Sequence, residues 1–319
     1  ADEHGVLIGT ITDGDIRRAL ISQYNLDTYL LDFMCRSPIS AREGDDQKTI
    51  FNKMKSKEIF HIPILNSHGK IVSIETLHNL LENKKHDNPV FLMAGGFGTR
   101  LQPLTNKLPK PLIHVGSKPI MEIIIEQFIE FGFHNFFIST HYKAELIRNY
   151  FGDGSKWGIQ IQYVFEKEPL GTAGALGLLP KNMPDLRIIM MNGDILTKVN
   201  FNQLLSYHKK NSAIATMCMR EYDFQVPYGV IETKNNNVIN IVEKPIHKFF
   251  INAGIYVLNP KIISKINGFD YLDMPTLIEN QIKMNERVNS FPIHEYWIDI
   301  GRINQLDKAN QEVSAMFNQ

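Results

Sequence analysis

The chain has only two cysteines in 319 residues, Cys35 and Cys218, far apart and without metal-ligand spacing. Their scarcity fits a reduced, cytoplasmic compartment. There is no excess of either charge, since lysine plus arginine and aspartate plus glutamate both number 34. No global field therefore draws the chain to nucleic acid or to an anionic membrane, and any anion binding must come from local arrangement. No apolar run approaches the ~18 residues of a membrane span, and no signal peptide is visible. A Ser-His-Asp-like set is missing, and His61, His141 and His294 stand at no ligand spacing, so they read as structural residues. What is present is ordinary for a globular protein: 43% hydrophobic and 21% charged residues supply a substantial core. The length suits one large domain or two ordinary ones.

An internal repeat divides the chain. "GVLIGTITDGDIRRAL" (Gly5 to Leu20) and "GKIVSIETLHNLL" (Gly69 to Leu81) superimpose from their first glycines, each giving a β-rich run, a polar turn and the start of a helix. Repeated units of this kind share one core. The chain opens inside the first copy, which is expected to lack its front half. The order resembles a pair of CBS motifs, small β-α modules that bind adenine nucleotides as regulatory ligands, so residues 1–84 are expected to form a small α+β domain. By that resemblance a Thr/Ser-x-x-Asp turn holds ribose and phosphate. The first copy offers Thr12 and Asp15; the second offers Thr76 and Asn79, where the amide keeps hydrogen bonding but loses the carboxylate. Helix capping explains Thr12 and Asp15 equally well. The polar "LENKKHDNP" closes this part, and a second domain is expected over residues 88–319.

From Val90 the pattern changes. β-rich runs "VFLMAGG", "NFFISTHY", "IQIQYVFE" and "LRIIMMNGD" alternate with helical periodicity in "PIMEIIIEQFIEFG" and "KAELIRNYFG". Such alternation predicts a parallel sheet with helices on both faces. Past Ala213 the runs are mostly strands, so the expected fold is an α/β core with a more β-rich second half.

The first strand of this part exits into "AGGFGTRLQPLTNKLPKPL", Ala94 to Leu112. Ligands of open α/β sheets sit at the carboxyl ends of strands. Gly95, Gly96 and Gly98 would let backbone N–H groups approach a phosphate, Thr99 adds a hydroxyl, and Arg100 and Lys110 add permanent charge. A dinucleotide fingerprint fails because the third position after Gly98 is Leu101, and a P-loop fails for want of a Gly-Lys-Ser/Thr ending. A merely tight turn with solvated cations is the bland alternative; the density of features and the stiff "PKP" favour a phosphate cradle. Downstream, Asp194 ends the apolar "IIMMNGD" and Asp299 follows the run in "YWIDIGR". Spacing alone leaves Asp194 balanced between a helix cap and a metal ligand. Two carboxylates with substrate phosphates suit Mg²⁺.

At "GGFGTRLQPLTNKLPKPL" the chain resembles the sugar-1-phosphate nucleotidyltransferases, and the likeness extends from Val90 to Asn310. The resemblance implies a Rossmann-like mixed sheet flanked by helices, with Ala94 and the glycine loop on a nucleoside triphosphate. It implies Arg100 and Lys110 on phosphates and Asp194 and Asp299 on the metal. Through "EPLGTAGAL", "VPYGVIE", "VEKP" and "INAGIYVLNP" it places Gly171 and Thr172 near the nucleobase. Gly229, Glu243, Lys244 and Asn252 would line a sugar-phosphate pocket. The lone Asp194 of "NGD" departs from the D-x-D of many glycosyltransferases. The implied reaction is in-line attack by a sugar 1-phosphate on the α-phosphorus of the triphosphate, releasing pyrophosphate. The wording is most similar to bacterial guanylyltransferases, in particular CBS-fused ones that use GTP and glucosamine 1-phosphate for legionaminic-acid-type sugars. Mannose-1-phosphate guanylyltransferases and thymidylyl or uridylyl enzymes are the nearest alternatives, and homo-oligomers are expected. A catalytically inactive nucleotide-sensing subunit is the competing class.

Overall fold

The computed structural model describes residues 1–25, 27–45, 47–77, 85–181 and 183–317. Asn79, paired with Thr76 in the second repeat, lies outside the described residues. The chain divides into two compact units, Ala1–Lys85 and His86–Gln319.

In the first unit, helices α1 (Asp13–Ile21) and α2 (Gln47–Ser56) accompany strands β1 (Ala41–Arg42), β2 (His61–Leu65) and β3 (Ile71–Thr76). β1 lies parallel to β2, and β3 antiparallel to it. Ile50 and Met54, one helical turn apart on α2, join Ile62 and Ile64, two apart on β2, in one core. The two spacings place each pair on a single face of its element. The β-rich run over Gly5–Thr10 forms only isolated bridges, Val6 with Lys70 and Thr10 with Cys35. At Gly9 a Cβ would lie 2.8 Å from the Cys35 carbonyl oxygen, so the run crosses its neighbour at points instead of pairing along it.

The second unit opens with β4 (Val90–Met93), the hairpin β5 (His114–Val115) and β6 (Lys118–Pro119), and α3 (Ile120–Glu130). There follow β7 (Asn135–Thr140), α4 (Ala144–Phe151), β8 (Gln160–Phe165), α5 (Gly171–Gly174), β9 (Ile188–Asn192), β10 (Ile195–Thr197) and α6 (Phe201–Lys210). Next come β11 (Ala215–Gln225), β12 (Val230–Lys234), β13 (Asn237–Val242), β14 (Ile246–Leu258) and α7 (Pro260–Ile263). The chain ends with α8 (Met274–Lys283), β15 (Val288–Ile293), β16 (Trp297–Asp299) and α9 (Ile303–Phe317). Seven strands form one sheet in the order β15-β11-β14-β9-β4-β7-β8.

The β9-β4-β7-β8 half is parallel, as alternating strands and helices require. The other half is not. β14 runs antiparallel to both β9 and β11, because the chain leaves along β11, turns through the β12–β13 hairpin and returns along β14 with no crossover helix. The sheet is therefore mixed. Successive residues of its central strands face opposite ways: Leu92, Phe136 and Ile189 join Ile124 and Phe128 of α3 in one core. Phe91, Phe137 and Met190 join Met274, Leu277 and Ile278 of α8 in the other. Burial on both faces is why these strands read as unbroken apolar runs. Among the described residues, no helix is long and apolar enough to cross a membrane.

Candidate functional site

The carboxyl edge of β4 opens a cavity of about 510 Å³. The Ala94 N–H donates to Ser139 O at 2.9 Å, carrying the sheet one residue beyond the strand. The loop then winds through three short 3₁₀ turns, Thr99–Leu101, Leu104–Asn106 and Lys110–Leu112. Gly98 begins the first at φ +65°, and a Cβ there would lie 2.7 Å from Thr105 Cγ2. Thr105 in turn donates its hydroxyl to Gly98 O at 2.9 Å. No other residue fits that turn without strain. Nothing comes within 4 Å of where a Gly96 Cβ would be, which leaves room for a ligand against the backbone.

One end of the cavity holds the charges. Lys110 Nζ is ion-paired to Asp194 Oδ2. Gly193 donates its N–H to Met93 O at 2.9 Å, and a Cβ on it would lie 2.3 Å from that oxygen. This close approach of β9 to β4 sets Asp194 against the loop. The β10–β16 pairing aligns Ile195 with Asp299, and Ile300 N–H donates to Asp194 O at 2.9 Å, which brings the second carboxylate alongside. Burial first, and then the negative charge of Asp194, push the Asp299 carboxyl above the usual range, against the pull of Lys110 and Arg100. Asp299 Oδ1 is buried and has no hydrogen-bond partner among the described residues. Gly301 stands between the two sides: its Cβ would be 3.4 Å from Asp299 Oδ1 and 3.5 Å from Arg100 Nη1. Two adjacent carboxylates with an unsatisfied buried oxygen fit a divalent cation such as Mg²⁺.

Glu166 lies elsewhere on the wall and carries a different chemistry. It is 3% exposed, accepts from the Ser139 hydroxyl and accepts from Leu170 N–H at 2.9 Å. A Cβ on Gly95 would lie 2.8 Å from Glu166 Oε1, so the glycine lets the loop close over the carboxylate. His141 donates from Nδ1 to Glu166 O at 2.8 Å and is structural.

The "GTAGALG" segment owes its glycines to packing. Gly171 has φ +76°, and a Cβ on it would lie 2.7 Å from Leu272 O and 3.0 Å from Asp273 Oδ1. Backbone bonds latch the two segments: Ala173 N–H to Leu272 O at 2.8 Å and Leu272 N–H to Leu170 O at 2.9 Å. The Thr172 hydroxyl accepts from Met274 N–H at 2.8 Å, which satisfies the start of α8.

The structure thus gathers Ala94, Gly95, Gly96, Gly98, Thr99, Arg100 and Lys110 with Gly171, Thr172 and Asp194 around one cavity. Asp299 is not on that wall but is held beside Asp194 by the β10–β16 pairing. Four other expected residues are not on that wall. Gly229, Glu243 and Lys244 are exposed at the base of the β12–β13 hairpin, where a Gly229 Cβ would lie 2.9 Å from Glu243 Oε2. Asn252 spends its amide within β14, accepting from Gly254 N–H at 3.0 Å and donating to the Tyr256 hydroxyl at 2.5 Å. In the first unit, Thr12 and Asp15 form a capping box. The Asp15 carboxylate accepts from Thr12 N–H at 2.8 Å, from its hydroxyl at 2.6 Å and from Arg18 Nη2 at 2.6 Å. Partial burial opposes ionisation of Asp15, but the bonds from Thr12 and Arg18 pull its carboxyl below the usual range. Sequence reasoning missed Glu166, Tyr271, Asp273 and Gly301, which also line the cavity. Of these only Gly301 carried a signal, beside Asp299 in "IDIGR".

A cation-bearing glycine loop at the carboxyl edge of an α/β sheet, facing paired carboxylates, has the chemistry of a site for a phosphate-bearing ligand in an α/β protein. Residues 90–315 match the family described as Nucleotidyl transferase and residues 30–85 match the CBS domain; the chain belongs to the nucleotidyl transferase family. It is 35% identical over 223 residues to a mannose-1-phosphate guanyltransferase of Yarrowia lipolytica, covering 66% of this chain and 60% of that protein. It is 36% identical over 225 residues to the rice (Oryza sativa subsp. japonica) protein named as probable mannose-1-phosphate guanylyltransferase 1, with the same 66% and 60% coverage. The chain therefore spans 60% of the length of these curated relatives. Among solved structures, HddC from Yersinia pseudotuberculosis complexed with GMP-PN aligns with TM-score 0.57 and 26% identity, covering 70% of this chain and 99% of HddC.

Proposed function

We propose that the second unit transfers a guanylyl group from GTP to a hexose 1-phosphate, giving a GDP-sugar and pyrophosphate. The observation that carries this reading is the chemical polarity of one cavity. Arg100 and Lys110 supply fixed cations at one place on its wall, and the buried Glu166 supplies an acceptor-only group at another. Guanine presents adjacent N–H donors at N1 and N2, which match a carboxylate. Uracil and thymine present one N–H between two carbonyls and match it poorly. The guanylyltransferase names of the relatives and the guanine nucleotide held by HddC support the same base.

A sugar 1-phosphate has a second pKa of about 6, so its attacking oxygen is already ionised at neutral pH and no general base is needed. The difficulty is bringing two anions together. Arg100, Lys110 and the loop N–H groups offset that repulsion, which is catalysis by positioning and electrostatics. Asp194 and Asp299 would hold Mg²⁺, which supplies further charge neutralisation when bound. For the acceptor, the relatives' names support mannose 1-phosphate, whereas the CBS-joined motif wording supports glucosamine 1-phosphate. In the first unit the CBS match over residues 30–85 supports an adenine nucleotide; Thr12 and Asp15 lie outside that match, and their capping box would have to open for them to engage it.

The test is purified protein with Mg²⁺, offered GTP, UTP, dTTP or ATP with each sugar 1-phosphate, and assayed for pyrophosphate. GTP is expected to give the highest kcat/KM. A win for UTP or dTTP overturns the base assignment. Silence with every pair overturns the transfer reaction and favours a nucleotide-sensing subunit.

A further inference from the structure

We infer that Asp273, with its carboxylate steadied by Tyr271, selects the ribose of the bound nucleotide by accepting a ribose hydroxyl; this rests on the nucleotide-binding reading of the cavity. Asp273 immediately precedes α8, where an aspartate ordinarily caps the helix. Here its side chain makes no cap bond. The second helical position is Pro275, which has no N–H to give a cap, and the first, Met274, gives its N–H to Thr172, a hundred and two residues away in sequence. The carboxylate is thereby released from the helix and lines the cavity beside Gly171, where a Cβ would stand 3.0 Å from Oδ1.

Among the described residues its donor is the Tyr271 hydroxyl, 3.0 Å from each oxygen. A single hydroxyl hydrogen serves one oxygen at a time, so an acceptor remains open toward the cavity. No ion pair to Asp273 is found among the described residues. A carboxylate in a cavity meant for a polyphosphate is repulsive unless it meets donors on the ligand. A nucleoside offers donors in two places, the base edge and the ribose. Glu166 is the more deeply buried acceptor and suits the base. Asp273 is half-buried on the segment that also carries the exposed Tyr271, and it suits the more solvent-exposed ribose. The backbone latch from Leu272 to Leu170 and Ala173 fixes the carboxylate relative to the nucleotide loop.

The experiment measures direct binding by calorimetry of GTP, 2′-deoxy-GTP, 3′-deoxy-GTP and ITP to the wild type, Asp273→Ala and Tyr271→Phe, with kcat/KM read in parallel. The wild type is expected to bind one deoxynucleotide about 10- to 150-fold more weakly than GTP, the range for a hydrogen bond to a charged acceptor. Asp273→Ala should weaken GTP to the level of that deoxynucleotide and abolish the preference, with the ITP-to-GTP ratio unchanged. Tyr271→Phe should reduce the preference without abolishing it. Because Thr172 and not Asp273 caps α8, the alanine variant should keep the wild-type melting profile. The inference is overturned if the wild type shows no deoxy penalty or if the penalty survives in Asp273→Ala. It is equally overturned if the ITP ratio collapses, which would mean that the carboxylate reads the base. Asp273-dependent ribose preference in binding, with no pyrophosphate released from any pair, would refute guanylyl transfer and leave this inference standing.

Discussion

Replacing Glu166 by glutamine tests the base assignment with the least disturbance to the fold. The substitution keeps shape and volume, and its neighbours can adapt. The amide oxygen can still accept from Leu170 N–H, now 2.9 Å from Oε2. The Ser139 hydroxyl, at present a donor to Oε1, can rotate and accept from the new NH₂. The melting temperature should therefore move by only a few degrees. Binding should change far more. A hydrogen bond to a charged acceptor is worth about 1.5–3 kcal/mol, so losing one guanine contact to the carboxylate lowers kcat/KM for GTP by about 10- to 150-fold. The amide also sets a donor against guanine's own donors, which places the effect toward the upper end. UTP should lose nothing and can gain, because glutamine can both donate to a carbonyl and accept from an N–H. The assay is pyrophosphate release with GTP and UTP at fixed sugar 1-phosphate, alongside thermal melting. A GTP kcat/KM within twofold of wild type, in a protein that melts normally, would refute the reasoning.

Further outcomes follow from the same geometry. Asp194→Asn should cut turnover about 100-fold or more, as loss of a preorganised electrostatic group does, with the melting temperature nearly unchanged; undiminished pyrophosphate release would sink the metal assignment. Gly98→Ala forces a left-handed conformation on alanine at φ +65° and drives its Cβ to 2.7 Å from Thr105 Cγ2. It should cost about 1–2 kcal/mol, together with a raised KM for the triphosphate as Arg100 shifts; an unchanged melting curve would count against it. His208 is 1% exposed. Burial first, then Arg187 and Lys209, lower its pKa from the ordinary 6.5 to about 4. Its contribution to stability is complete above pH 6.5 and is lost as pH falls through about 4, at most about 3 kcal/mol. Urea unfolding at pH 7 and pH 4.5 should show a smaller pH-dependent loss for His208→Asn than for wild type, and equal losses would refute it.

The loop was legible because it is contiguous: Gly95 through Lys110 carry turn, hydroxyl and cations within one stretch, and the structure keeps them on one wall. The strands were legible because burial on both faces leaves unbroken apolar runs. The direction of β14 was not, since an antiparallel return through a hairpin and a parallel crossover leave similar runs in sequence. Glu166 was hidden at the end of "IQIQYVFE", where a strand-end glutamate reads as solvated until Ser139 and Leu170 are seen to hold it. Asp273 was hidden for a different reason. It reaches the site through backbone bonds between Leu272 and the 170–173 turn, and such bonds leave no side-chain pattern. The glycines of "GTAGALG" also serve packing, which the sequence pattern alone does not reveal. At Gly174 a Cβ would lie 2.8 Å from Asp270 O, and at Gly177 one would lie 2.3 Å from Gly268 N. They are small so that the two segments can meet.

That packing also bears on how a chain with equal numbers of acidic and basic residues handles a polyanion. With 34 of each, long-range attraction contributes little, and exposed charges are screened beyond about 8 Å at physiological ionic strength. Discrimination must be local. Cations on the Arg100–Lys110 stretch attract phosphate, while the carboxylates of Glu166 and Asp273 repel it. A triphosphate entering with its phosphates toward Glu166 would meet a buried negative charge; entering the other way, it meets Arg100 and Lys110 and presents its N–H and O–H donors to the two acceptors. On the proposed function, the carboxylates would then do more than read the nucleoside: they would disfavour the reversed pose, so that the α-phosphorus is delivered to the Asp194 end for attack by the second anion. Removing either carboxylate should then lower the selectivity for nucleotide over inorganic triphosphate, because the wall that excludes phosphate has been neutralised. Measured as the Ki of inorganic triphosphate against GTP, that ratio should fall in Glu166→Gln and in Asp273→Ala. An unchanged ratio in both would show that the cations alone orient the ligand.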